Sequence, residues 1–146
     1  MSRVVRVNSG LSKFIQKISI GTHALLADES SEHGGRDAGA DPEELLLAAL
    51  GACASITVQM YADRKGWPVT AVNVQLSYVT IPPENGAAAD RGTTNSIEME
   101  ISFSGDLSDD QRNRLFEIAE RCPVHRMLTS EMKIHTKQTT LITTNS

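Results

Sequence analysis

Asp41-Pro42-Glu43-Glu44-Leu45-Leu46-Leu47-Ala48-Ala49-Leu50-Gly51-Ala52-Cys53 joins a helix start to a thiol in one stretch. Asp41 has the side chain of an N-cap, accepting from N–H groups that the first turn cannot pair internally. Pro42 suits the first helical position, where no donor is lost, and Glu44, three residues after the cap, closes a capping box. The predicted helix runs to about Lys65, ahead of Gly66-Trp67-Pro68. From Leu45 to Met60 its polar residues are Ser55, Thr57 and Gln59. A helix apolar on nearly every side must be wrapped by sheet or by a second chain, so this is a central helix.

A second thiol stands against a proline in Arg121-Cys122-Pro123-Val124-His125-Arg126. The helix leading to it starts at Ser108 as N-cap, carries Asp109 and Asp110 in the dipole-favoured first turn, and closes another capping box with Gln111. Leu115, Ile118, Ala119 and Cys122 fall on one stripe, which turns Cys122 toward the core. Pro123 cannot continue the hydrogen-bond ladder, so the helix breaks near Cys122 and Val124 to Ser130 form a further short helix.

Around these helices the hydrophobic period is that of strands. Val5 with Val7, Phe14 to Ile20 and Ala24 to Ala27 come first, separated by Asn8-Ser9-Gly10 and Gly21-Thr22. Between the helices, Val72, Val74, Leu76 and Tyr78 alternate cleanly, as do Ile97, Met99, Ile101 and Phe103, and Met132, Ile134 and Thr136 follow. The order is β-β-β-α-β-β-α-β, an α+β class with antiparallel sheet. Glu29 to Gly39 is a Gly-rich polar loop carrying His33 and Arg36, and Pro82 to Thr94 reads as a long exposed loop.

At 146 residues the chain is expected to be one domain, 1–146, burying roughly 70% of its unfolded surface. A net charge of −4 leaves no basic face for phosphates or anionic lipid, so neither nucleic acid nor membrane is expected as a partner. The start lacks the apolar core of a signal peptide, and the longest apolar run, Leu45 to Leu50, is far shorter than the ~20 residues that cross a bilayer. A soluble cytoplasmic protein is expected. In a reducing cytosol two cysteines point to catalysis, metal binding or redox sensing rather than a permanent staple.

A thiol has a pKa of about 8.5, and burial in an apolar helix lowers its thiolate fraction further. Cys53 therefore needs a cation, and a guanidinium held by a carboxylate through two parallel hydrogen bonds supplies one at any physiological pH.

The joint pattern of Asp41-Pro42-Glu43-Glu44-Leu45-Leu46, Ala48-Ala49, Cys53 and Cys122-Pro123-Val124 resembles the OsmC/Ohr family of organic hydroperoxide reductases, and the element order follows that family over most of the chain. The resemblance implies curved antiparallel sheets wrapped around central helices in an intertwined homodimer, with active sites at the subunit interface. It implies a glutamate and an arginine beside the reactive cysteine. Glu43 matches the glutamate by motif position, and Arg36 is the arginine candidate, with Arg126 or Arg64 able to take its place. Ten residues of helix rise by about 15 Å, so Glu43 serves Cys53 either from the neighbouring subunit or from a non-helical lead-in.

The implied reaction is attack of the Cys53 thiolate on the distal oxygen of an organic hydroperoxide, giving an alcohol and a sulfenic acid that Cys122 resolves as a disulfide. A thiol or lipoyl-type dithiol restores the pair, and no cofactor or metal is called for. Apolar surroundings of Cys53, including Leu50, Ile56 and Met60, would favour an alkyl or acyl hydroperoxide over hydrogen peroxide. A second reading gives the same fold a role as redox sensor or apolar-ligand binder without useful turnover, and a third a purely structural dimer with incidental cysteines. His125 with the two cysteines is an incomplete zinc set. His23, His33 and His135 form no constellation, and Trp67 reads as a packing anchor.

Overall fold

The caps at Asp41 and Ser108 set the helices. In the computed structural model, which describes residues 3–81 and 94–140, Asp41 accepts from the Glu44 N–H at 2.8 Å and the Glu44 carboxylate accepts from the Asp41 N–H at 2.9 Å. Helix α1 then runs unbroken over Pro42–Lys65 and stops at Gly66, whose φ of 69° lies in the left-handed region that glycine occupies without a Cβ clash. Ser108 and Gln111 repeat the reciprocal cap at the start of α2, Asp109–Ala119. The chain is extended at Cys122, and α3 restarts over Pro123–Thr129 with Cys122 as its cap. Cys122 thus stands between two helices instead of on the stripe of α2, because Pro123 brings no N–H to continue that ladder. It is nonetheless fully buried.

Strands β1 (Val5–Asn8), β2 (Gln16–Ile20) and β3 (His23–Ala27) form an antiparallel meander that sets Val5 opposite Ile20 and Ile18 opposite Leu25. Strands β4 (Val69–Ile81) and β5 (Thr94–Gly105) form a separate antiparallel pair, aligning Val72 with Phe103, Val74 with Ile101, Leu76 with Met99 and Tyr78 with Ile97. The residues singled out by alternation are therefore cross-strand neighbours on one face. The expected loop between these strands lies, up to residue 93, outside the described residues.

One expected strand is not formed. Met132, Ile134 and Thr136 lie in a stretch, 131–140, that has no ladder partner among the described residues. Alternation supplies the side-chain pattern of a strand, but the strand itself needs an edge to bond, and Ile134 is left 85% exposed.

Leu50, Ala54, Val58 and Ala62 fall four residues apart along α1 and pack with Leu115, Ile118 and Ala119 of α2 and with Cys122. Val72, Leu76, Met99 and Phe103 close the cluster from the sheet side. Gly51 permits this approach, since a Cβ there would meet Leu76 Cδ1 at 2.7 Å. The rest of α1 is uncovered. Leu46, Ala49, Cys53, Ile56 and Met60 follow the 3-4-3-4 spacing of a helix seam, and Ile56 and Met60 are 56% and 63% exposed.

By length and composition α1 qualifies as a bilayer span, with a mean hydropathy of 1.7 over an 18-residue window. The unbroken run Leu45 to Leu50 understated this, because small and weakly polar residues dilute the run without making the helix polar. Its packing against β4, α2 and α3 makes it the central helix of this fold. The β1–β3 meander also leaves apolar side chains open, among them Val5, Val7 and Leu26.

Candidate thiol site

Cys53 sits two turns into the seam of α1, half-buried, and Cys122 caps α3 with no exposed surface. Cys53 packs against the buried cluster that holds Cys122 and bears on that thiol's ionisation. The Cys122 sulfur accepts the His125 N–H at 3.3 Å, the usual duty of an N-cap performed by a thiol. Burial pushes the Cys122 thiol above its ordinary range; the N–H of His125 acts against this, and the neighbouring Cys53 adds to it, since two adjacent sulfurs resist sharing negative charge. Cys122 belongs to the buried core and Cys53 packs against it, more open than its apolar neighbourhood suggested. Leu50 is buried beside it, whereas Ile56 and Met60 project outward with it and do not enclose it within one chain.

Glu43 is exposed in the first turn of α1, on the same continuous helix as Cys53. The lead-in that would have let it fold back is therefore absent, and about 15 Å of helical rise separates the two positions. Arg36 is exposed in the loop after β3. Its backbone N–H, not its guanidinium, makes the ordered contact, donating to Asp28 Oδ2 at 3.0 Å. Arg64 lies with its guanidinium 6.0 Å from the Tyr61 ring centre, and Arg126 is exposed on α3. A single chain thus brings Cys53 and Cys122 together and leaves Glu43, Arg36, Arg64 and Arg126 at the surface.

Two polar groups organise this region without having stood out in the sequence. Asp28 is 2% exposed and accepts from the N–H groups of Glu29, Arg36 and Ala38 at 2.8, 3.0 and 3.1 Å. Burial raises its pKa, but the three donors outweigh that and hold the carboxyl below its usual range. Asp28 so fixes the backbone of the Arg36 loop, and Lys13, at a positive φ of 42°, adds a bond from Nζ to the Gly34 carbonyl at 3.3 Å. On the far side, Arg114 Nε donates to the Tyr61 hydroxyl at 3.1 Å and pairs with Glu117 at 2.8 Å, pinning α2 to α1. That hydrogen bond, aided by the nearby cations, lowers the Tyr61 phenol's pKa against the opposing effect of burial. Nothing short of the tertiary pairing signals such contacts, because Asp28 in the sequence is one more loop acid. Among the described residues no cluster of three His, Cys, Asp or Glu side chains is arranged to hold a metal ion.

The architecture has close counterparts. An organic hydroperoxide resistance protein OsmC from Legionella pneumophila superimposes with a TM-score of 0.65 at 17% identity, covering 88% of this chain and 90% of that one. An OsmC-like protein of unknown function from Vibrio cholerae gives 0.67 at 16% identity over 90% and 96%. An organic hydroperoxide resistance protein from Elizabethkingia anophelis gives 0.65 at 18% over 88% and 89%. At these identities the likeness is one of fold. No curated protein matches the chain. The family model for OsmC-like proteins matches residues 34–137, which span α1 with Cys53, the β4–β5 pair and the Cys122-Pro123 cap. The chain belongs to the OsmC-like protein family.

Proposed function

We propose that the protein is a cysteine peroxidase that reduces organic hydroperoxides to alcohols, and that it works as a homodimer in the cytoplasm. The observation that carries this reading is the pair of thiols brought to one core cluster, one half-open on the seam of α1 and one sealed at a Cys-Pro helix cap. Hydroperoxide resistance proteins among the structural neighbours support it.

In the cycle, Cys53 as thiolate attacks the distal peroxide oxygen. The O–O bond breaks, the alkoxide leaves and takes a proton to become the alcohol, and Cys53 is left as sulfenic acid. Cys122 then attacks that sulfur, hydroxide leaves and is protonated to water, and the Cys53–Cys122 disulfide forms. A thiol or dithiol restores both cysteines by exchange.

The thiolate needs positive charge, and among the described residues the candidate guanidinium groups of Arg36, Arg64 and Arg126 lie at the surface of one chain. Glu43, too far along its own helix, would fix a guanidinium, Arg36 in this reading, against the Cys53 of the partner subunit. The uncovered seam from Leu46 to Met60 and the 131–140 stretch, which has no ladder partner among the described residues, are the surfaces such a partner would cover.

Mixing reduced protein with cumene hydroperoxide and dithiothreitol tests the reading: rapid peroxide loss, abolished in Cys53→Ser, is the expected result, and wild-type consumption no faster than dithiothreitol alone would overturn it. A second reading, as a redox sensor or apolar-ligand protein, draws on the surface placement of Arg36, Arg64 and Arg126 within the chain. It predicts disulfide formation without turnover.

A further inference from the structure

The net charge of −4 is unevenly spread over the molecule. Where α2 meets the last turns of α1, three cations gather on one half-buried phenol: the Arg114 guanidinium lies 5.5 Å from the Tyr61 ring centre, the Lys65 ammonium 5.7 Å and the Arg64 guanidinium 6.0 Å. Glu117, paired with Arg114 at 2.8 Å, is the one carboxylate that meets any of them in an ion pair among the described residues. Tyr61 and the exposed Arg64 and Lys65 line an open hollow of about 320 Å³. Asp63, the acid next to them in sequence, lines a different hollow with Trp67 and Val69.

Arg64 and Lys65 stand in the last turn of α1, where cations serve first to offset the negative pole of the helix. That pole amounts to about half a charge, and Glu117 cancels one cation, so positive charge is left over at this spot. The phenol is only half used. Its oxygen accepts from Arg114 Nε at 3.1 Å, while its own O–H has no acceptor among the described residues. The bond from Arg114 and the three nearby charges lower the Tyr61 pKa against the effect of burial, which makes that O–H a stronger donor. Lys65 adds three donors and Arg64 a planar fork of them. A hydroxyl, an ammonium and a guanidinium around one hollow are donors without an acceptor, and an oxyanion completes such a set. A carboxylate spreads one charge over two oxygens, whereas a phosphate monoester carries up to about two charges on three, the better match to three donor groups.

We propose that this hollow at the end of α1 binds a phosphate group, free or as the monoester of a small molecule, through the Tyr61 hydroxyl, the Arg64 guanidinium and the Lys65 ammonium. The site is separate from the thiol pair, and its occupancy does not depend on the peroxidase reading. Arg114 is a positioning residue: it occupies the phenol oxygen as a donor, so the phenol proton turns away from it, and Glu117 holds its guanidinium in place.

Trp67 makes the site visible, being the chain's one tryptophan and standing edge-on to Tyr61 with ring centres 5.6 Å apart. The full-length reduced protein is titrated with inorganic phosphate and with glycerol 2-phosphate at about pH 8, where both are largely dianions, at fixed ionic strength, following heat by calorimetry together with Trp67 fluorescence. Saturable heat with a matching fluorescence change is expected. Arg64→Gln/Lys65→Gln is expected to weaken binding about tenfold or more. Lys17→Gln/Lys133→Gln, which removes the same charge from exposed positions elsewhere, is expected to leave the affinity unchanged, with native far-UV circular dichroism in both variants. Equal affinity for the two compounds identifies the free ion as the ligand and tighter binding of the ester a phosphorylated small molecule; either supports the proposal. Equal weakening in the two double variants shows attraction to net charge only, and heat without a response from Trp67 puts the anion elsewhere. Either of these, like an absence of saturable binding, overturns it.

Discussion

Cys53, on the seam of α1, packs against the buried cluster that holds Cys122, the cap of α3. Their environments differ: Cys53 is half-open, whereas Cys122 is sealed and burial pushes its pKa up, the division of access that the proposed peroxidatic and resolving roles call for. Iodoacetamide is expected to label Cys53 first in the reduced native protein and to label Cys122 only after denaturation. Equal labelling of both, followed by peptide mass analysis, would contradict the assignment.

The raised pKa of Cys122 has a consequence for stability. A group whose folded-state pKa lies above its unfolded value stabilises the fold below the unfolded pKa, and that contribution is lost as pH climbs through the folded one. Wild type is therefore expected to lose urea resistance above about pH 8.5, and Cys122→Ser to lose less over the same range. Parallel curves from pH 7 to 10 would refute this.

Asp28 works in the opposite direction. Its lowered pKa means a contribution present at neutral pH and lost as pH falls through the folded value, below the usual carboxyl range. Asp28→Asn leaves the N–H groups of Arg36 and Ala38 with a weaker acceptor, so their amide hydrogen exchange is expected to quicken while the amides of α1 hold. Unchanged exchange in the loop would show that it is fixed by something else.

The core tolerates little loss of volume. Leu115 is fully buried between α2 and α1, and Leu115→Ala should cost about 2–5 kcal/mol by denaturant titration. Ser108→Ala removes the oxygen that accepts the Gln111 N–H, and should cost about 1 kcal/mol.

Much of the architecture was legible because local signals and tertiary roles agreed. The boxes at Asp41–Glu44 and Ser108–Gln111, the stop at Gly66, the break at Pro123 and the alternation of β4 and β5 all say locally what the fold does globally. The 131–140 stretch failed for the complementary reason: its alternation is real, but a strand is a property of two partners, and the sequence of one does not show where the other lies. The site divided along the same line. Cys53 and Cys122 were readable from helix signals, whereas Asp28 acquires its role only when three amides converge on it, and Ile56 and Met60 looked like walls of a pocket until the helix turned them outward.

The seam offers a direct handle on assembly. Ile56 and Met60 contribute little to the folding of one chain, being largely exposed in it, so Ile56→Arg is expected to convert a dimer to a folded monomer with native far-UV circular dichroism and no peroxidase turnover. A dimer that survives the change, by light scattering, would place the interface elsewhere.

In the proposed composite site Cys53 is served by groups of a second chain, and a mixed dimer tests that most directly. Pairing a Cys53→Ser chain with a Glu43→Gln chain leaves one site with its cysteine and carboxylate both intact if the two come from different subunits. It leaves none if they come from the same one. The heterodimer, purified by two tags, is predicted to regain about half the peroxide turnover of wild type while each parent homodimer stays impaired; a heterodimer no more active than the Glu43→Gln parent would contradict the composite site.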